Sequence, residues 1–180
     1  MSHSRRSVHS LFCIMLISLA LAGCSSTVEV SRQYCPTEGV LADTERLIGG
    51  DSERSWQGQI TGTALECSWD AEQRKLVTAL TVRGNVMAAK DAGVPSKLTL
   101  PAFVVLLNAD DKQLYRKDFD INISADKGRG AVAFSREVGE LTLMLAPGDS
   151  IKNHAILVGF RLTPDQLRAN RSYRAEKLGL

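Results

Sequence analysis

Residues 118–124 read DFDINIS: on an extended chain Phe119, Ile121 and Ile123 fall on one side, and Asp118, Asp120, Asn122 and Ser124 on the other. Successive side chains of a strand point to opposite faces, so strict alternation calls for a sheet with one face buried and one in water. The pattern recurs along the chain. Leu65, Cys67 and Trp69 alternate with polar neighbours, as do Val132 and Phe134, then Leu141, Leu143 and Leu145 ahead of the turn APGD, and finally Ile156, Val158, Phe160 and Leu162. LVTALTV (76–82) is rich in strand formers, and FVVLL (103–107) is a continuous apolar run that suits a strand buried on both faces. About seven short strands separated by turn signals predict a mainly β chain folded as an antiparallel β-sandwich. NADDK (108–112) makes a natural hairpin turn, and GVPSKLTLP (93–101), with Pro95 and Pro101, reads as a longer connection or an edge.

Two stretches break the alternation. In residues 35–55, Val40, Leu41, Thr44, Leu47 and Ile48 recur at helical spacing before Gly49 and Gly50, which predicts a short helix or a structured loop. At the other end Thr163 is a good N-cap, Pro164 fits the first helical position and Asp165 suits the first turn. The sandwich is therefore expected to close with a short C-terminal helix. Arg168, Arg171, Arg174 and Lys177 give that helix a basic character. It reads either as a solvated face or as a contact with anionic headgroups or an acidic partner.

The start of the chain sets its address. Arg5 and Arg6 precede a run of twelve residues, Leu11 to Ala22, apolar except for Ser18, with small residues behind it. This is the layout of a secretory signal peptide; the run is too short for a bilayer-spanning helix, which needs about 20 residues. It ends at Leu21-Ala22-Gly23-Cys24, which resembles the lipobox of bacterial lipoproteins. That resemblance implies a diacylglycerol on the Cys24 thiol, removal of residues 1–23 and acylation of the new amino end. Two or three acyl chains anchor firmly, whereas one gives marginal binding. Ser25 rather than Asp follows the cysteine, which by analogy with enterobacterial lipoproteins favours the outer membrane over the inner. The resulting organisation is a signal at 1–23, a lipidated tether at 24–34 and a single domain at 35–180. Residues 25–34 reach at most about 35 Å when extended, so the domain is expected close to its membrane.

Removal of the signal leaves two unassigned cysteines, Cys35 and Cys67, after Cys13 leaves and Cys24 takes lipid. In an oxidising compartment they are expected to form a disulfide, closing a loop worth about 3–4 kcal/mol. Two free thiols or a metal site are the alternatives, the latter thin because structural zinc takes four ligands. The chain holds 22 basic and 20 acidic residues, and losing Arg5 and Arg6 makes the signs equal. A neutral mature domain argues against nucleic acid as a partner.

The segments CPTEGVLADTERL (35–47) and LVGFRLTPDQLRANR (157–171) make the mature chain similar to small uncharacterised envelope lipoproteins of proteobacteria. The resemblance implies an immunoglobulin- or fibronectin-like sandwich and an envelope address, and no activity.

Chemistry-bearing patterns are sparse. His154 is the one histidine of the mature chain, in a turn entering a strand, and no G-x-S-x-G surrounds any serine. Asp118, Asp120 and Asn122 match the first three ligands of a calcium loop, but Ile123 stands where glycine is required and Arg129 where glutamate is. On a strand those three share an exposed face, and a solvated sheet surface is the simpler reading. DKGRG (126–130) reads as a turn. Trp56 and Trp69 offer stacking faces for a sugar, although Trp69, two residues from Cys67, is placed to pack on the disulfide. No catalytic residue, metal or cofactor is expected beyond the lipid on Cys24. The sequence therefore points to a non-enzymatic structural or docking subunit of an envelope assembly, held in the membrane by lipid and bound to a protein partner. The alternatives are a glycan- or small-ligand-binding module and a hydrolase using His154.

Overall fold

Long strands need tight turns between them, and the polar residues at their ends supply these. The computed structural model describes residues 35–51, 55–89, 93–126 and 130–179. Its strands are β1 (Thr37–Val40), β2 (Arg46–Gly49), β3 (Trp56–Asp70), β4 (Lys75–Ala88), β5 (Lys97–Leu107), β6 (Gln113–Ser124), β7 (Ala131–Met144) and β8 (Ala155–Phe160), followed by helix α1 (Pro164–Leu178). Between β3 and β4, Asp70 Oδ1 accepts from the Glu72 and Gln73 amides at 3.0 Å each, and Arg74 turns the chain at φ 50°. Between β5 and β6, Asn108 Oδ1 accepts from the Asp110 and Lys112 amides at 3.1 and 2.9 Å, with Asp111 at φ 56°. The second is the hairpin expected at NADDK; both use a short side chain as a substitute for backbone.

The chain is a β-sandwich with a C-terminal helix, as the alternation predicts. One sheet has the order β2-β3-β4-β7 and the other β1-β8-β5-β6. Neighbours are antiparallel except β1 and β8, which run parallel from Thr37 opposite Ala155 to Val40 opposite Val158. The likeness to an immunoglobulin domain lies in the two packed sheets; the order of strands within them differs from the ABED and CFG sheets of that fold.

Between the sheets lie Leu76, Leu80, Val82 and Val86 of β4, Leu100 and Val104 of β5, Ile121 of β6 and Val158 and Phe160 of β8, all essentially inaccessible to water. Each such side chain contributes roughly 1.5–3 kcal/mol by leaving water. Phe103 and Val105 are buried on the outer face, where the Arg116 guanidinium covers the Phe103 ring at 4.3 Å. The FVVLL run is thus shielded on both sides, as its composition suggests.

Three local expectations change. Among the described residues of 35–55 there is no helix: they make β1 and β2, joined through residues 41–45. The chain crosses there from one sheet to the other, with Asp43 at φ 67°, Thr44 Oγ1 donating to Leu41 O at 2.7 Å, and Phe160 N donating to Thr44 O at 2.8 Å. The helical spacing arose from two four-residue strands set either side of this crossing. The stripes at 132–134 and 141–143 belong to one strand, β7, and not two. They are out of phase because Val138 is an extra residue between Glu137 and Gly139, and Gly139 at φ 90° absorbs the shift. Pro101 lies inside β5, and the connection before it is shorter than expected. The strand tolerates it at the last rung: the Arg161 amide donates to Pro101 O at 2.9 Å, Pro101 returns no N–H, and the pairing of β5 with β8 stops there.

α1 begins as the sequence specifies. The Thr163 side chain accepts from the Gln166 amide at 3.2 Å, and Gln166 Oε1 accepts from the Thr163 amide at 2.9 Å, forming a capping box with Pro164 just inside. Gly179 at φ 69° closes the helix.

Candidate functional site

The two ends of the sandwich differ in construction. At the end where β1 starts, Cys35 is bonded to Cys67 of β3, with Cα atoms 5.5 Å apart. The bond ties the first residues of the domain, which belong to one sheet, to the opposite sheet. The loop before β8 is fixed beside it. His154 is buried, its Nδ1 donates to Ser150 O at 3.0 Å, and its Nε2 lies 3.5 Å from Asp149 Oδ2. The His154 carbonyl accepts from the Thr37 amide at 3.1 Å. Arg74 grips the same loop, its Nε donating to Leu145 O at 3.1 Å and a terminal nitrogen to Ala146 O. His154 is therefore a buried staple of this loop, in a turn entering β8 as its context implies. Its ring nitrogens face a carbonyl and a carboxylate of its own loop, an arrangement suited to holding five residues in place. Trp69 borders a shallow hollow here with Arg74 and Lys152.

At the opposite end, about 35 Å away along β3, the sheet opens into a groove of about 420 Å³ lined by Ile48, Trp56, Gln57, Met87 and Ala88 with Ser55 and Ala89 at its rim. The register explains the lining. Ile48 pairs with Gln57 and Gln57 with Met87, placing two apolar side chains and an amide in one row on the outer face. Ile48 and Met87 are each 40% exposed, high for such side chains. Trp56 pairs with Gly49, and its indole occupies the space a side chain there would take: a methyl group on Gly49 would fall 2.3 Å from the ring. The glycine thus sets the position of the tryptophan. An aromatic wall, two aliphatic side chains and nearby amide and hydroxyl groups suit an amphipathic surface better than a charged one.

Of the basic residues of α1, Arg171 and Arg174 stay exposed but reach a buried carboxylate. Asp43, on the crossing between β1 and β2, is buried, and Arg174 Nε lies 2.9 Å from its Oδ1, an ion pair without hydrogen-bond alignment; Arg171 Nε lies 3.7 Å from Oδ2. Arg168 pairs with Asp165 of its own helix, and Lys177 sits in the last turn, where it complements the helix dipole. Asn170, which with Leu167, Tyr173 and Arg174 recurs at helical spacing, is the buried residue of the helix: Nδ2 donates to Asp43 O at 2.9 Å and Arg46 O at 2.7 Å. The sequence signal of its burial is an asparagine in mid-helix, where the residue is unfavourable unless it has a tertiary partner.

Asp118, Asp120 and Asn122 occupy one exposed face of β6, as the alternation requires. Asp118 pairs with Arg116 at 3.0 Å and Arg161 at 3.4 Å, Asp120 approaches Arg161 at 3.9 Å, and Asn122 accepts from Thr99 at 3.1 Å. They line a charge ladder on a sheet surface. Among the described residues no three His, Cys, Asp or Glu side chains converge as a metal ion would need, and no helix is long and apolar enough to cross a membrane. Cys24 and the tether at 25–34 lie outside the described residues, as do Lys127–Arg129 of the DKGRG turn. No family model, curated protein or solved structure matches the chain.

Proposed function

We propose that this protein is a lipid-anchored envelope protein, held by acyl chains on Cys24, that serves as a non-enzymatic structural or docking subunit on the periplasmic side, at the outer membrane rather than the inner. The observation that carries the reading is the Cys35–Cys67 bond. Disulfides persist in oxidising compartments, which agrees with the basic start, the apolar run and the Leu21–Cys24 motif. The placement of Cys35 adds a direction. The tether leaves from the disulfide end, so the groove beside Trp56 faces away from the anchoring membrane and is open to a partner protein. The pairing of Arg171 and Arg174 with the buried Asp43 supports a structural role for that part of α1.

Incorporation of labelled palmitate, with fractionation of the membranes, tests the anchor. Label should follow the wild-type chain and be lost in Cys24→Ala, which should leave the membrane. A Cys24→Ala chain that keeps both label and membrane association refutes it. A photo-reactive residue at Met87 should capture a partner in intact envelopes, whereas one at Lys112, near the anchored end, should not.

A second reading is favoured by one observation: Trp56, fixed over Gly49, walls a groove of a volume suited to one or two sugar rings, about 420 Å³. On that reading the protein is a module for a glycan or a small ligand. Titration with soluble cell-wall glycan fragments should then give saturable binding that Trp56→Ala abolishes. The hydrolase alternative is disfavoured by the enclosure of His154 in its own loop, and His154→Ala is expected to alter stability without removing any activity of the chain.

A further inference from the structure

β2 is an outer strand, paired on one side only, with β3. Glu45 O accepts from Ile60 N at 2.8 Å, so in the alternation that follows, Arg46 and Ile48 turn their peptide groups away from β3. An exposed edge of this kind is a template for another strand. Here α1 lies along it. Gln166 Nε2 donates to Ile48 O at 3.0 Å and Asn170 Nδ2 to Arg46 O at 2.7 Å. The match is geometric. Four residues of helix advance about 6 Å and two residues of strand about 6.6 Å, so two amides one turn apart meet two successive outward carbonyls. The helix runs antiparallel to β2 and donates to it as a neighbouring strand would.

The same helix has little apolar attachment to the sandwich. Asn170 is its buried residue, and its remaining ties are the Asp43 ion pairs and the Arg46 guanidinium resting on the Tyr173 ring at 4.1 Å. Such contacts hold a helix in place without making it part of the core.

We propose that α1 is a surrogate strand that occupies the free edge of β2 and thereby prevents a second copy of this chain from pairing there. The occupant follows from the edge itself. With a twofold axis at Leu47, Arg46 of one copy faces Ile48 of the other, and each outward N–H meets an outward carbonyl. An antiparallel edge is complementary to itself about such an axis, and pairing would merge the two four-stranded sheets into one.

The test uses the full chain with Cys24→Ser, which keeps it out of membranes, in sedimentation equilibrium. Gln166→Ala with Asn170→Ala should shift the monomer–dimer equilibrium at least about tenfold toward dimer relative to the unsubstituted helix. Adding Ile48→Pro, which removes an outward N–H and spares the pairing with β3, should reverse the shift. A double variant with full strand content by circular dichroism that is as monomeric as its parent overturns the proposal, as does association that Ile48→Pro leaves unchanged. If the double variant does not fold, termination after Leu162 replaces it: a β2-dependent dimer supports the cap and a folded monomer overturns it. Loss of strand structure in both variants also overturns it, because α1 would then be a foundation of the fold.

Discussion

The sandwich has two lateral edges, and they are guarded in different ways. On the β1/β2 side the strands are four residues each, and the exposed backbone of β2 is covered by a helix. On the β6/β7 side the strands run for 12 and 14 residues, and among the described residues no helix covers them. There the protection is local: Arg116, Asp118 and Asp120 charge the face of β6, Gly139 bends β7 at its bulge, and Lys117 Nζ reaches across to donate to Val138 O at 3.0 Å. Charge and curvature are built into each strand and cannot be taken away, whereas a helix is a separate piece. The comparison teaches that one edge is closed permanently and the other conditionally.

The strongest way to break this contrast is to remove the covalent support of the short-stranded edge. Cys35→Ala with Cys67→Ala, which opens a link spanning 32 positions, should lower stability by about 3–4 kcal/mol. Hydrogen exchange should accelerate in β1 before β6 or β7; uniform acceleration would show that the edges are not independent. Asn170→Ala should cost about 1–3 kcal/mol, since it leaves the Asp43 and Arg46 carbonyls without their donor. Chemical denaturation measures it, and a loss under 0.5 kcal/mol would mean that water replaces the amide freely. Gly139→Ala should cost about 1–2 kcal/mol through backbone strain alone, because the nearest atom to the added methyl, Lys117 Nζ, is 3.6 Å away. Lys117→Met should have the smallest effect, about 0.5–1 kcal/mol. Its clearer readout is aggregation on prolonged storage, which should rise if the ammonium guards β7.

Much of the fold was legible because alternation is a local property. The stripes at 119–123 and 156–160 each point inward as read, and the capping box of α1 is complete within four residues. What was illegible depends on partners distant in sequence. Nothing near Asp43 announces a left-handed turn between sheets or an ion pair with Arg171 and Arg174. The basic character of α1 was therefore legible, but not that two of its exposed arginines pair with a buried carboxylate. The bulges of β3 and β7 had a trace: in β3 the inward positions pass from Trp56, Gly58 and Ile60 to Leu65, Cys67 and Trp69, and such a change of phase within one strand requires an extra residue, here Thr61. The groove was half-visible, since Trp56 stood out, but Gly49 beneath it read as a helix stop. His154 read correctly as a loop residue, but its burial was not legible, because burial of a polar side chain leaves no periodic mark.

The parallel pairing of β1 with β8 also governs when the molecule can take shape. Residue 37 has no ladder partner until residue 155 has been made and delivered, so the opening segment must wait for the closing one. Pairing over such a separation is slow, because a long stretch of chain has to be organised before the contact is rewarded. The first strand thus emerges long before it can settle, and the final fold assembles only once the last strand has arrived.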